Sequence, residues 1–514
     1  MNGAQSLIQT LVNGRVDVCF TNPGTSEMHF VAAVDKVEGM RTVLCLFEGV
    51  CSGAADGYSR MTGRPASTLL HLGPGLGNAL ANVHNTRRAH VPLINIVGEH
   101  ARHHLEHNAP LTTDIEAIAW PVSDWVRTIG DPMTVAEDAA DAIAAAQQPP
   151  GQVATLILPG DCAWNESSAP APGPAVSRPP AVEDTQIRQI ADVLRRGEPC
   201  VLLMAGPGLL ESSLHSAGRI ADVTGARLFS DRPIQRWQRG AGRVPIQRIP
   251  YPVKDAVAAL DGTTHMILVG TVPPVAFFGY PNTPSLLAPD SCQFHTLATL
   301  EEDIPAALAM LADELTAPPE PSTLSKLNRP DLPTGELIPD KIWATIAALM
   351  PEEAILTNEA ITSAAGYDRY MDGGPPHDML TLNGGSIGEG LPLTLGASIA
   401  CPDRKVINAQ ADGSAMYTVQ TLWSLAREKC DTVTVLFNNR AYRILQGEML
   451  KVEADGGGSK SQAMLDLGNP VIDWVHIAQG MGVNAWRATT AEEFNTQFAA
   501  AVQTPGPHLI DAVI

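Results

Sequence analysis

The sequence predicts an α/β protein built from three doubly wound, parallel-sheet domains in series. Three observations predict it. A chain of 514 residues is too long for one core and suits about three domains of ordinary size. Short apolar runs alternate with helical patterns along most of its length, the pattern of parallel sheets with crossover helices. Two proline-rich stretches, 169–180 (APAPGPAVSRPP) and 318–333, read as exposed, semi-stiff linkers. The expected domains are therefore 1–168, 182–316 and 336–514.

Composition bounds the function. Apolar residues make up 45% of the chain and charged residues 17%, which describes packed globular domains. A formal charge of −21 argues against nucleic acid or an anionic membrane surface as partner, and obliges an anionic substrate to find a local positive site. No apolar run reaches the roughly 18 residues of a membrane span, and Met1-Asn-Gly-Ala-Gln lacks the basic start of a signal peptide. The eight cysteines are scattered without a CxxC pair and read as buried free thiols in a reducing cytoplasm.

In the first domain, Val16–Phe20 is a strand that runs into the turn Thr21–Glu27. Thr42–Phe47 is the next strand, with Glu48 at its carboxyl end and a helix rich in small residues, Gly49–Arg60, after it. Ala66–Leu70 leads into His71-Leu-Gly-Pro-Gly-Leu-Gly-Asn78, and Leu93–Val97 and Val153–Leu158 complete the apolar strands. In the middle domain the strands are Cys200–Met204, Arg227–Ser230 and Met266–Val269. The third domain places a Gly-rich turn, Asn383–Gly388, before the helix Glu389–Ala400. Its strand from Lys405 to Gln410 meets Asp412-Gly413-Ser414. A single helix should follow, with Tyr417, Val419, Leu422, Trp423 and Leu425 on one face, ending near Lys429. Thr432–Phe437 is the next strand, closed by Asn438-Asn439.

Strand, helix and strand form a βαβ unit with parallel strands and a right-handed crossover. Asp412 and Asn439 then sit at carboxyl strand ends, on the edge where open α/β sheets bind ligands. Neighbouring strands about 4.8 Å apart let two side-chain oxygens reach one small cation. Gly413 allows close approach, and a helix starting at Ser414 offers N–H groups to a phosphate. A carboxylate, an amide oxygen and a diphosphate are what hard, six-coordinate Mg²⁺ takes.

The Asp-Gly-Ser, the doubled Asn and the 27 positions from Asp412 to Asn439 resemble the diphosphate-and-magnesium motif of thiamine-diphosphate-dependent enzymes. The run DGSAMYTVQTLWSLA looks most like benzoylformate decarboxylase, with acetolactate synthase and pyruvate decarboxylase as relatives. Ala411 stands where the motif usually opens with Gly. The three-domain layout is similar across nearly the whole chain, as pyrimidine-binding, central and diphosphate-binding domains. The resemblance implies thiamine diphosphate and Mg²⁺ as cofactors. It also implies a homodimer or homotetramer whose active site lies between the first domain of one subunit and the third of another.

By the same resemblance, Glu48 in FEGVCSGAADGYSRMTGRP is the acid that hydrogen-bonds the cofactor's pyrimidine N1′. Read alone it is a helix cap or a surface acid; Phe47 and Val50 beside it would favour a form able to donate. Asn78 lies near the pyrimidine. Gly385 offers its carbonyl to the 4′-amino group, and Ile387 is the wedge that bends the cofactor. Asp412, Asn439 and the Ala441 carbonyl hold the metal, with Gly413 and Ser414 against the diphosphate. Thr25, with Ser26 next to it, matches the hydroxyl that holds the substrate carboxylate, and His71 matches the histidine that handles protons.

Departures from the family pattern bear on the reaction. Phe277 or Phe278 stands where benzoylformate decarboxylase has a second active-site His. Ile444 and Leu445 stand where pyruvate decarboxylase has an acid. Leu111-Thr112 and Arg440-Ala-Tyr-Arg443 stand where acetolactate synthase has a Gln-containing segment and a Trp. Leu111, Phe277 and Leu445 are thereby expected along the substrate pocket. Gly206-Pro-Gly208 resembles half a dinucleotide loop, too little for FAD, and no flavin is expected. His100, His103, His104 and His107 have helical spacing but no second ligand cluster, which argues for a polar segment over a zinc site. Ala454–Lys460 reads as a loop that could cover the site.

The function expected is an enzyme that decarboxylates a 2-oxo acid, releasing an aldehyde or joining the fragment to an aldehyde acceptor as an acyloin. The alternatives are an acetolactate synthase catalytic subunit and a non-catalytic cofactor-binding relative, against which an intact Glu48 argues.

Overall fold

The computed structural model describes residues 1–514 except Asp455 and Gly456, so the centre of the expected covering loop lies outside the described residues. Six strands form the first sheet: β1 (Val18–Thr21), β2 (Arg41–Leu44), β3 (Ala66–Leu70), β4 (Leu93–Glu99), β5 (Trp125–Thr128) and β6 (Val153–Pro159). They pair in the order β2-β1-β3-β4-β6-β5, all parallel. Inner strands β3, β4 and β6 are buried at every residue, as helices on both faces require, while edge strand β2 is half exposed.

The middle domain has β7 (Cys200–Met204), β8 (Arg227–Ser230), β9 (Trp237–Arg239), β10 (Gln247–Arg248), β11 (His265–Val269) and β12 (Gln293–Ala298). Five of these make a parallel sheet, β10-β8-β7-β11-β12. The sixth, β9, leaves its own domain. It pairs antiparallel with β14 (His377–Thr381) in the third sheet, Trp237 opposite Met379 and Arg239 opposite His377. That sheet also contains β13 (Ala354–Glu359), β15 (Val406–Ala411), β16 (Thr432–Asn438), β17 (Asn484–Ala488) and β18 (His508–Val513), in the order β17-β18-β16-β15-β13-β14-β9.

The outer domains meet through two helices of small residues, Glu48–Thr62 and Gly390–Ala400. A Cβ at Gly396 would stand 1.9 Å from the Ala54 carbonyl oxygen, and one at Gly57 2.4 Å from that of Leu393. Backbones this close admit only glycine, which explains the run of small residues after Glu48. Arg60, fully buried, ties the same seam by bonding Asp56 (2.7 Å), Glu389 (3.0 Å) and the Thr381 carbonyl (2.7 Å).

Three expectations change at this level. The helix after Asp412 is broken into Asp412–Ala415 and Thr421–Arg427. The intervening turn lets the Thr418 hydroxyl donate to the Gly388 carbonyl at 2.9 Å, while Tyr417 is left half exposed beside Gly388. Glu48 opens a helix instead of ending a strand, because β2 stops at Leu44. The segment Arg102–His107 is a 3₁₀ helix with no buried residue, so its histidines do not share an α-helical face. Seven cysteines are buried and Cys401 is half-buried, all as free thiols. Among the described residues, no helix is long and apolar enough to cross a membrane.

Candidate active site

Sheet order locates the site. The first sheet reverses direction between β1 and β3, and the third between β13 and β15, and open sheets bind ligands in the crevice at such reversals. At the first reversal stand the turn after β1 and His71 after β3. His71 Nδ1 lies 2.8 Å from Glu27 Oε2, which also accepts the Gly24 N–H at 2.7 Å. Glu27 is 2% exposed, and burial raises its pKa while His71 pulls the other way. The dyad occupies room left by two glycines. A Cβ at Gly98 would stand 1.7 Å from Glu27 Oε1, and one at Gly24 2.2 Å from His71 Nδ1. Leu72, next to His71, holds φ +50, a strained value for leucine.

Glu27 was missed by sequence reasoning, although it ends the very turn that carries Thr25 and Ser26. Thr25 is exposed and Ser26 half-buried on the short 3₁₀ turn Thr25–Glu27. Leu111 is exposed; nearby Thr113, whose hydroxyl donates to the Leu111 carbonyl at 3.1 Å, lies against Gly73.

Glu48, 8% exposed, begins its helix close by. Asn78 Nδ2 donates to Glu48 Oε2 at 3.0 Å, and Oε1 has no hydrogen-bond partner among the described residues. A Cβ at Gly75 would come within 3.2 Å of that free oxygen. One turn along the helix Leu72–Arg88, Asn82 Nδ2 reaches both the Gly49 carbonyl (2.8 Å) and the Gly388 carbonyl (3.3 Å). Asn85 then exchanges two hydrogen bonds with Ser386, at 2.7 and 3.2 Å. One helix therefore touches both Glu48 and the Gly384–Gly388 loop.

That loop is fixed from the other side by Glu359 at the end of β13, a second residue missed in the sequence. It accepts the N–H groups of Gly388 and Gly390 at 2.7 Å each and the Gln410 amide at 2.9 Å. Gly385 holds φ +82, and a Cβ there would stand 2.6 Å from Phe277 Cζ. Phe277 thus lies against Gly385. Ile387 is half-buried in the same loop.

At the third sheet, β15 and β16 are neighbours with Ala411 opposite Phe437, so Asp412 and Asn439 do emerge side by side. Asp412 is 2% exposed. Its Oδ1 accepts the Gly413 N–H (2.9 Å) and its Oδ2 the Arg440 N–H (2.7 Å). No cationic side chain pairs with it among the described residues, and burial raises its pKa. The doubled asparagine divides its labour. Asn438 is locked to Asp511 at 2.7 Å, leaving Asn439, whose Oδ1 accepts the Ala441 N–H at 3.0 Å. Arg440 between them holds φ +56. A buried carboxylate, an amide oxygen and the Ala441 carbonyl, the first without a countercharge and the last unbonded among the described residues, make a donor set that fits a hard divalent cation. Ser414 is buried in a helix of only four residues, too short to carry much dipole. Beyond Ala441 opens a cavity of about 390 Å³, lined by Gln446, Ser459, Gln462, Ala463 and Asp466. Leu445 is half exposed on the helix Arg443–Lys451.

The site residues thus form two groups. Glu27, Glu48, His71 and Asn78 lie on the first sheet's edge, and Asp412, Asn439 and Ala441 on the third's. No side-chain hydrogen bond joins the groups among the described residues.

The comparisons agree with this division. Residues 1–118 match the family described as thiamine pyrophosphate enzyme, N-terminal TPP binding domain, and residues 362–512 match its C-terminal TPP binding domain. A Mycobacterium tuberculosis protein with the provisional name acetolactate synthase large subunit IlvX is 48% identical over 100% of this chain and 99% of its own. Benzoylformate decarboxylase of Pseudomonas aeruginosa is 27% identical over 96% of this chain and 95% of its own. Among solved structures, the thiamine diphosphate-dependent 4-hydroxybenzoylformate decarboxylase of Rhodococcus jostii RHA1 superposes with a TM-score of 0.86 at 25% identity, covering 100% of this chain and 99% of that one. With two strand-end groups in place and both halves matched, this chain belongs to the thiamine pyrophosphate enzyme family.

Proposed function

We propose that this chain is a thiamine-diphosphate- and Mg²⁺-dependent lyase that removes CO₂ from a 2-oxo acid and releases the aldehyde. The observation that carries the reading is Glu48, a nearly buried carboxyl with one oxygen held by Asn78 and the other free. A non-catalytic relative has no use for such an acid. Thiamine diphosphate, when bound, supplies the electron sink for the pair left behind by CO₂.

The chain's residues do the rest. Glu48 Oε1 would hold the cofactor's pyrimidine N1′ through a shared proton. Gly385 and Ile387 would orient the ring, and Asp412, Asn439 and the Ala441 carbonyl would hold Mg²⁺, with Gly413 and Ser414 toward the diphosphate. Thr25 and Ser26 face the substrate carboxylate. His71, with Nδ1 turned to Glu27, keeps Nε2 for proton delivery to the substrate's reacting carbon. Two copies complete each site, one lending the Glu48 edge and the other the Asp412 edge.

Carboligation is the second reading, and Leu445 and Phe277 favour it. Neither can donate a proton, and an apolar wall beside Gly385 holds an acceptor carbonyl at high effective concentration. Supplying an accepted 2-oxo acid with and without excess aldehyde, then quantifying CO₂, free aldehyde and acyloin, separates the two. Aldehyde equal to CO₂ under both conditions establishes simple decarboxylation. The proposal contains no flavin, and a stoichiometric flavin spectrum in the purified protein would move acetolactate synthase to first place. Failure to release CO₂ from any aliphatic or aromatic 2-oxo acid, with cofactor and Mg²⁺ bound, would sink the lyase reading.

A further inference from the structure

The middle sheet also reverses, between β7 and β11, and the chain leaving β8 crosses that edge as Asp231-Arg232-Pro233. It is pinned two residues later. The Ile234 N–H donates to Asn383 Oδ1 at 2.7 Å, and Asn383 Nδ2 donates to the Ile234 carbonyl at 2.8 Å. The Thr271 hydroxyl donates to the Arg232 carbonyl at 3.0 Å. Arg232 is thereby delivered to the start of the Gly384–Gly388 loop. Its guanidinium carbon lies 4.7 Å from the centre of the Phe277 ring, the ring whose edge abuts Gly385.

Such stacking fixes the guanidinium plane and leaves its in-plane N–H groups free to grip a planar anion. Here they are free. Among the described residues the Arg232 side chain makes no hydrogen bond, and its nearest acid, Asp231, is 3.9 Å away. Strand register sets Arg248 opposite Ser230 on the same edge; it makes no ion pair among the described residues, although Asp231 and Asp368 attract it from farther off and Arg232 and Arg239 repel it. In a chain of formal charge −21, two arginines facing one half-buried acid, Asp231, with Asp368 already paired to Arg239, leave positive charge in excess beside the Gly384–Gly388 loop and point to an anionic ligand.

Resting on the 2-oxo acid reading, we propose that Arg232, backed by Arg248, binds a second carboxylate at the far end of the substrate. It is not suited to the carboxylate that leaves. A cation against that group would stabilise the ground state more than the transition state. The substrate class is therefore a 2-oxo dicarboxylic acid.

The test uses the Mg²⁺- and thiamine-diphosphate-loaded enzyme and methyl acylphosphonates, which keep the oxo group and cannot lose CO₂. Their chains, of graded length, end in a carboxylate or in its neutral amide. Calorimetric titration should show the carboxylate binding roughly 10- to 100-fold tighter at the best length, as a charge-assisted hydrogen bond gives. Arg232→Gln should bring that ratio to within about threefold of unity, while Arg232→Lys, which keeps charge without the fork, retains part of it. A wild-type ratio near one at every length overturns the proposal, as does a ratio that Arg232→Gln leaves intact. If the ratio holds but no matching 2-oxo acid releases CO₂, the carboxylate site stands and the reaction assignment falls.

Discussion

At the scale of single residues, Glu48 and Glu27 are both buried carboxyls, and their neighbours give them different tasks. Glu48 keeps one oxygen free, so Glu48→Gln should bind cofactor and Mg²⁺ yet lose roughly 10²–10⁴-fold in CO₂ release. NMR should show exchange of the thiazolium C2 proton slowing in parallel; exchange at the wild-type rate would remove Glu48 from the proposed role. Glu27 points at His71 instead and acts through it. Glu27→Gln should lower kcat about 10- to 100-fold with KM nearly constant, because the pocket wall survives while the proton donor loses its orientation. Gly98→Ala should imitate it, since the new methyl takes the space of Glu27 Oε1. The double variant should then be no worse than either single one; additive losses would mean that Gly98 and Glu27 do not share a mechanism.

At the scale of elements, β14 is held by charges and hydrogen bonds that a sequence does not display. Asp378 on β14 pairs with Arg236 at 2.6 Å and Arg404 at 2.6 Å, which hold its carboxyl below the usual range despite burial. His377 beside it is fully buried and neutral, facing the Pro375 carbonyl through Nδ1 (2.8 Å) and the Tyr367 hydroxyl through Nε2 (3.0 Å). Burial depresses its pKa from 6.5 to about 4. The unfolded chain therefore binds this proton at a higher pH than the folded one, and stability falls as pH drops from about 6.5 towards 4, by on the order of 3 kcal/mol in all. Hydrogen exchange of the β13 and β14 amides at pH 7 and pH 5 should show this loss of opening free energy, and His377→Gln should flatten it. The contrast in legibility is physical. Strands such as Cys200–Met204 and Met266–Val269 were readable because continuous burial demands continuous apolar runs. The strand Trp237–Arg239 was not, because three residues carry no period and its partner lies 140 positions away (378 against 238). Likewise Asp412 and Asn439 could be found from spacing, whereas Glu27, Glu359 and Arg232 become visible only when strand ends meet.

At the scale of the molecule, the two groups of site residues on one chain face different edges, and the proposed active site joins those of two copies. Glu48→Gln and Asp412→Ala should each be inactive as pure proteins. Mixed and reassociated in equal amounts, they should recover about a quarter of wild-type activity, since half the dimers are hybrids with one intact site of two. Absence of recovery in verified hybrids would place each site within a single copy.

The excursion of β9 has a consequence for modularity. Cutting the chain at its two proline-rich linkers looks like a clean excision of the middle domain, but it would strip the outermost strand from the third sheet. The fragment beginning near residue 336 would present β14 as a bare edge, with Asp378 deprived of Arg236 and His377 of its Arg239 partner. Unpaired edges of that kind recruit other chains. Recombination with a related enzyme should therefore succeed when Trp237–Arg239 travels with the third domain's partner strand, and yield aggregate when a crossover separates them.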